Sequence, residues 1–195
     1  MRNCIIERNT NETKIFLMLN LDGNGKSDVD TGSGFLNHML TLFSAHGGFD
    51  LEIKCVGDKE VDYHHSVEDI GICLGQAFKE CLGDKRGIKR YGGKIIPMDE
   101  ALILTSVDFS GRSYLNFGVR FECGKVGEFD TELVEEFFLG FTRKAEATLH
   151  IVQFAGSNTH HVIEAIFKSV ARSISEACEK DVKNPDAIPS TKGSL

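Results

Sequence analysis

The chain has 195 residues, 41% of them hydrophobic, and a net charge of −7. That is enough apolar material for a substantial core, either one domain or two fused halves. No apolar run approaches the roughly 20 residues that span a bilayer, and the acidic balance argues against a nucleic-acid surface while leaving room for an anionic small molecule in a local basic pocket. Residues 1–8 contain no long apolar signal region. The six cysteines show no C-x-x-C pair and read as reduced packing residues, so a cytoplasmic location is expected.

In chain order, residues 13–23 read as a strand that closes on the turn Asp22-Gly23. Phe35, Leu36, Met39 and Leu40 then fall on an apolar helical stretch that also carries His38. Phe49, Leu51 and Ile53 mark the next short strand. His64-His65-Ser66-Val67-Glu68 opens a second helical pattern, which continues through Ile70, Leu74, Ala77, Phe78 and Cys81.

The second half repeats this order. Residues 102–111 match 13–23 at an offset of 88, which sets Glu100 opposite Glu12. Residues 133–138 match 35–40 at an offset of 98, so His38 falls opposite Glu136. His160, His161 and Glu164 each lie 96 residues after His64, His65 and Glu68, and another helical pattern runs from Ile163 through Ala177. Each half reads strand, strand, helix, strand, helix. The expected fold is α+β, an internal duplication of two similar half-domains at roughly 1–86 and 87–195 within a single domain 1–195. Each half should be a mostly antiparallel four-stranded sheet with two helices on one face.

One His-His-x-x-Glu pattern on a helix is weak evidence, since exposed His and Glu often form only a solvated face. Two copies in register within a longer repeat are much harder to obtain by accident. Imidazole and carboxylate are ligands for divalent transition metals, and the absence of thiolate favours Mn²⁺, Fe²⁺ or Zn²⁺ at an open site. Adjacent helical histidines are turned about 100° from each other and cannot comfortably grip one ion. Two ions are therefore expected. One would take His64 and Glu68 with His161, the other His160 and Glu164 with His65, and His38 and Glu136 would complete the two sets. Whether the exchanged motif belongs to the same chain or to a neighbour stays open at this level.

Several segments in order carry a specific resemblance: Gly34-Phe35-Leu36-Asn37-His38-Met39-Leu40, Ala45-His46-Gly47-Gly48-Phe49-Asp50-Leu51, Asp62-Tyr63-His64-His65-Ser66-Val67-Glu68-Asp69, Pro97-Met98-Asp99-Glu100-Ala101, Asn158-Thr159-His160-His161-Val162-Ile163-Glu164-Ala165 and Ile188-Pro189-Ser190-Thr191-Lys192-Gly193. Over essentially its whole length the chain resembles the monofunctional imidazoleglycerol-phosphate dehydratases of histidine biosynthesis. The resemblance implies a duplicated α+β fold and two Mn²⁺ ions per active site, with Fe²⁺ or Zn²⁺ as alternatives. It also implies a homo-oligomer, a 24-subunit shell built from trimers with active sites between subunits. One position departs from some members: where plant and some bacterial relatives carry a ligating histidine before Phe-Phe, this chain has Glu136.

The implied reaction removes water from D-erythro-imidazoleglycerol phosphate to give imidazole-acetol phosphate. The substrate's own imidazole, held as imidazolate by the metals, would expel the side-chain hydroxyl through a diazafulvene-like intermediate. Residue by residue, the resemblance assigns Glu12 as the leading acid/base group, with Glu68 and Glu164 as further carboxylates at the reaction, and His46 and Asp99 as polar active-site residues. Arg90, Arg112, Lys168, Ser190 and Lys192 would hold the phosphate, arginine by bidentate recognition and lysine as a point charge. Two rival classes are a non-catalytic metal-binding protein and a dinuclear phosphatase. The triplet Asp30-Thr31-Gly32 copies an aspartic-protease motif, but only once and without its usual strand context.

Overall fold

The computed structural model describes residues 2–195. The first half runs β1 (Asn3–Asn9), β2 (Thr13–Asn20), β3 (Ser27–Asp30), α1 (Gly34–Gly47), β4 (Asp50–Gly57) and α2 (His64–Leu82). The second half follows with β5 (Tyr91–Met98), β6 (Ala101–Asp108), β7 (Tyr114–Gly118), a two-stranded hairpin β8 (Lys125–Val126) and β9 (Phe129–Asp130), then α3 (Leu133–Ala145), β10 (Thr148–Ala155) and α4 (Thr159–Cys178). No helix among the described residues is long and apolar enough to cross a membrane.

The two sheets have the same topology. Their strand orders are β1-β2-β4-β3 and β5-β6-β10-β7. In each the first three strands pair antiparallel, and the last is a parallel edge strand, with Val29 opposite Ile53 in one sheet and Leu115 opposite Leu149 in the other. Alternation sets the buried face: Ile15, Leu17 and Leu19 on β2, and Ile103, Thr105 and Val107 on β6, point inward. The four helices form the layer between these inward faces. α2 lies on the first sheet and packs against α3, and α4 lies on the second sheet and packs against α1. The halves thus share one core, joined through Phe78, whose ring meets Phe141 at 5.6 Å and Phe109 at 6.3 Å.

The expected α+β duplication is what the structure shows. The element order differs in two respects: each half has a third sheet strand before its first helix, and the second half adds the short β8–β9 hairpin ahead of α3. β3 and β7 are short parallel edges, exposed in β3 and half-buried in β7, whose partners come later in the chain, so they leave almost no local alternation to read.

The α2–α3 contact requires small residues. A Cβ on Gly71 would stand 2.3 Å from the Phe137 carbonyl oxygen, and one on Gly75 would stand 2.3 Å from that of Phe141. In a free helix Gly→Ala is favourable by about 1 kcal/mol. Here the added methyl meets backbone, and overpacking of this kind costs about 1–3 kcal/mol. Gly71→Ala should therefore lower the urea midpoint without changing the slope of the transition. An unchanged or raised midpoint would show that the helices can separate without loss.

Candidate active site

Both His-His pairs sit in the first turn of a helix; Asn158 caps α4 with its side chain, whereas α2 has Tyr63 at its N-cap without a side-chain bond and is held by Asp62 just before it. Asp62 Oδ1 accepts from the His64 amide at 2.7 Å, and Asn158 Oδ1 accepts from the His160 amide at 3.0 Å and the His161 amide at 3.4 Å. Within each pair the two rings are nearly perpendicular, at 84°, with centroids 6.2 Å apart in the first copy and 6.3 Å in the second. Helical rotation turns adjacent side chains about 100° apart, and in the second copy the two rings go to different partners, His160 to Glu164 and His161 to Glu100.

The first histidine of the second copy turns toward α1. There His38, His160 and Glu164 bring one donor atom each to within 4.8 Å of one another, and no other group of three His, Cys, Asp or Glu donors among the described residues does so. Glu164 is buried and divides its two oxygens. Oε2 lies 3.3 Å from His160 Nε2 and 3.5 Å from His38 Nε2, while Oε1 meets Lys168 Nζ at 2.5 Å. Burial pulls this carboxyl upward, but Lys168, His160 and His38 together outweigh it, and it lies below the ordinary carboxylate value. Two imidazole nitrogens and an ionised carboxylate, with no thiolate, suit Mn²⁺, Fe²⁺ or Zn²⁺. The set is reachable: Phe35, His38, Tyr63 and Phe129 line a pocket of about 400 Å³ beside it.

The second histidine of each copy faces away from this group and is held by carboxylates of its own half. His65 Nδ1 is 2.9 Å from Asp58, and its Nε2 is 3.8 Å from Glu12. His161 Nδ1 is 2.8 Å from Glu100, and its Nε2 is 3.7 Å from Asp99. Hydrogen bonding to Asp58 raises His65, and hydrogen bonding to Glu100 raises His161. Glu100 is pulled down to about 2, first by His161 and then by the Asn158 amide. A carboxylate on one ring nitrogen orients the other nitrogen toward a metal and makes it more basic. Asp58 and Glu100 stand where such orienting partners would be; the sequence reading did not single them out, although the repeat sets Glu100 opposite Glu12.

The pseudo-equivalent set on α2 and α3 is looser. His64, Glu68 and Glu136 do not converge within 4.8 Å. Arg143, one more residue missed from sequence, stands 3.7 Å from Glu68. His46 lies near the C-terminal end of α1, with Nδ1 3.5 Å from Arg172. Burial first, then Lys168 and Arg172, lower its pKa.

Four of the five phosphate candidates meet in a separate pocket of about 360 Å³ lined by Arg90, Arg112, Ser190 and Lys192. Asp108 grips the Arg90 fork at 2.7 and 3.1 Å, and the third arm of Arg90 donates to the Pro189 carbonyl at 2.8 Å. Arg90 therefore ties the tail segment to β6, and Arg112 and Lys192 bring further positive charge. The fifth candidate, Lys168, lies instead beside Glu164 on α4.

Residues 31–174 match the family model for imidazoleglycerol-phosphate dehydratase. The chain is 54% identical to the imidazoleglycerol-phosphate dehydratase of Oceanobacillus iheyensis over 195 residues, covering 100% of both. Its fold superposes on the crystal structure of imidazoleglycerol-phosphate dehydratase from Staphylococcus aureus with a TM-score of 0.83 and 45% identity, over 91% of this chain and 99% of that one. The Pyrococcus furiosus enzyme, solved in complex with (S)-C348, gives a TM-score of 0.85 and 37% identity, over 97% of this chain and 100% of that one.

Proposed function

The chain belongs to the imidazoleglycerol-phosphate dehydratase family, the hydro-lyases of histidine biosynthesis, and we propose that it converts D-erythro-imidazoleglycerol phosphate to imidazole-acetol phosphate and water in a reaction that depends on two Mn²⁺ ions per active site. The observation that carries the metal dependence is the convergence of His38, His160 and Glu164, while His65 and His161 stand apart from that group, each against a carboxylate of its own half. The first set is His38, His160 and Glu164 with His65 of a neighbouring subunit. The second is His64, Glu68 and Glu136 with a neighbour's His161. Bound metal would supply Lewis-acid charge and a template for the substrate.

The chain's own residues do the rest. The carbon that loses its proton has no adjacent carbonyl, so the substrate's imidazole must release electrons to expel the side-chain hydroxyl, through a diazafulvene-like stage whose neighbouring C–H is more acidic. Glu12 and Glu100 occupy equivalent repeat positions but are not equivalent chemically. Glu100 is locked by His161 and by the Ser157 and Asn158 amides. Glu12 is exposed, and the nearest basic group to its carboxylate is His65 Nε2 at 3.8 Å, which leaves it free to move a proton. Arg90, Arg112, Ser190 and Lys192 hold the phosphate, and His46, Asp99 and Lys168 position the remainder of the substrate. The working form is a cytoplasmic homo-oligomer, a 24-mer built from trimers.

Incubating purified protein with substrate and Mn²⁺ tests this reading against a phosphatase. The expected product has lost water and kept its phosphate. Release of inorganic phosphate, with no imidazole-acetol phosphate, would overturn it.

A further inference from the structure

Cys4 and Cys81 stand 77 residues apart in sequence, yet their Sγ atoms lie 3.3 Å apart. Cys4 points inward from the edge strand β1, on the same face as buried Ile6, and Cys81 sits in the last turn of α2. Each sulfur also reaches a backbone carbonyl, Cys4 that of Ala77 at 3.4 Å and Cys81 that of Leu19 at 3.9 Å. Both residues are half-buried, so a small oxidant can reach them. The other cysteines are unlike this pair. Cys55, Cys73 and Cys178 are buried, and burial pushes the Cys73 and Cys178 thiols up to about 12. Cys123 is exposed and has no thiol neighbour among the described residues. The S–H donated by Cys81 lowers the Cys4 thiol, while the same contact raises Cys81, which marks Cys4 as the attacking sulfur.

We propose that Cys4 and Cys81 form a reversible redox pair, oxidised by a hydroperoxide to a disulfide that staples β1 to α2. Cys4 thiolate attacks one peroxide oxygen. The O–O bond breaks, and hydroxide leaves as water after taking a proton. Cys81 sulfur then attacks the sulfenic acid at Cys4, the S–O bond breaks, and a second water leaves. Two thiols and one hydrogen peroxide give one disulfide and two waters, each sulfur losing one electron and the peroxide gaining two. The sulfurs need to approach by only about 1 Å to reach bonding distance, which side-chain rotation at an edge strand can supply. The closed loop holds the first sheet against α2, the helix whose first turn carries His64 and His65, and so constrains the unfolded chain.

The test is peptide mapping of the purified full-length enzyme after hydrogen peroxide and alkylation. The expected result is a Cys4–Cys81 linked peptide that has lost two hydrogens and is cleaved by dithiothreitol, with a reversible rise in Tm. C4S should abolish the link. In C81S, Cys4 should instead accumulate a sulfenic acid trapped by dimedone. C123S should still form the link, since its exposed thiol takes no part. Sulfinic acid at Cys4 without a cross-link, or disulfides through Cys123 alone, would overturn the proposal. The map of the unsubstituted chain decides the question even if a cysteine variant fails to fold.

Discussion

Stripping the protein with EDTA and removing the chelator by gel filtration is expected to cut turnover by at least about 10³-fold, with Mn²⁺ add-back restoring it. The size of the effect follows from the substrate. A C–H bond without an adjacent carbonyl gives a general base little to work with, so several kcal/mol of barrier lowering must come from charge placed on the imidazole and on the departing hydroxyl. On the proposed reading His38, His160 and Glu164 would hold the ion that supplies that charge, and Lys168 favours the ionised Glu164 from its other oxygen. Sizing of the same samples adds a second reading. If His65 and His161, which stand apart from this group, close sites on neighbouring subunits, metal removal should also shift the large assembly toward smaller oligomers. Activity and assembly that both ignore Mn²⁺ would remove the central proposal.

How much of this was legible in the sequence depended on how local each signal is. The His-His-x-x-Glu register and the turn of about 100° between adjacent histidines follow from helical geometry alone, and in both copies the two rings of a pair stand apart, with centroids 6.2 and 6.3 Å from each other. His38 was found because an offset of 98 carried one helix onto another, and the fold places it against His160. Glu136, found in the same way, faces His64 and Glu68 in a looser set that does not close to within 4.8 Å, and Arg143 from the following turns of α3 stands against Glu68. A carboxylate and a guanidinium on one helix face differ little from any solvated surface pattern, so sequence alone could not distinguish them. Asp58 and Arg172 were missed for a related reason. Each matters only through a ring brought to it by tertiary packing, and neither belongs to a motif. The tail had the opposite character. It reads as a frayed terminus by composition, yet Arg90 reaches it across 99 positions of sequence.

Mixing two individually inactive variants is expected to restore activity. His65→Ala removes a ring that lies apart from the converging group, and Glu164→Gln weakens that group. Each variant alone should turn over substrate at a small fraction of the normal rate, because every site of the first kind lacks a ligand. In a mixed oligomer, a site can take His38, His160 and Glu164 from the His65→Ala chain and His65 from the Glu164→Gln chain. Random assembly of equal amounts in a closed symmetric oligomer makes about one such site in four intact, so about a quarter of normal activity should return. The pseudo-equivalent sites built on His64, Glu68 and Glu136 contain neither substituted residue and stay whole throughout. The outcome depends on the directions seen in the single chain: His65 turns to Asp58 and Glu12, away from the group that its neighbour's copy would complete. If all ligands of one ion came from one chain, no mixture would contain an intact site, and activity would stay at the level of the separate variants at every ratio.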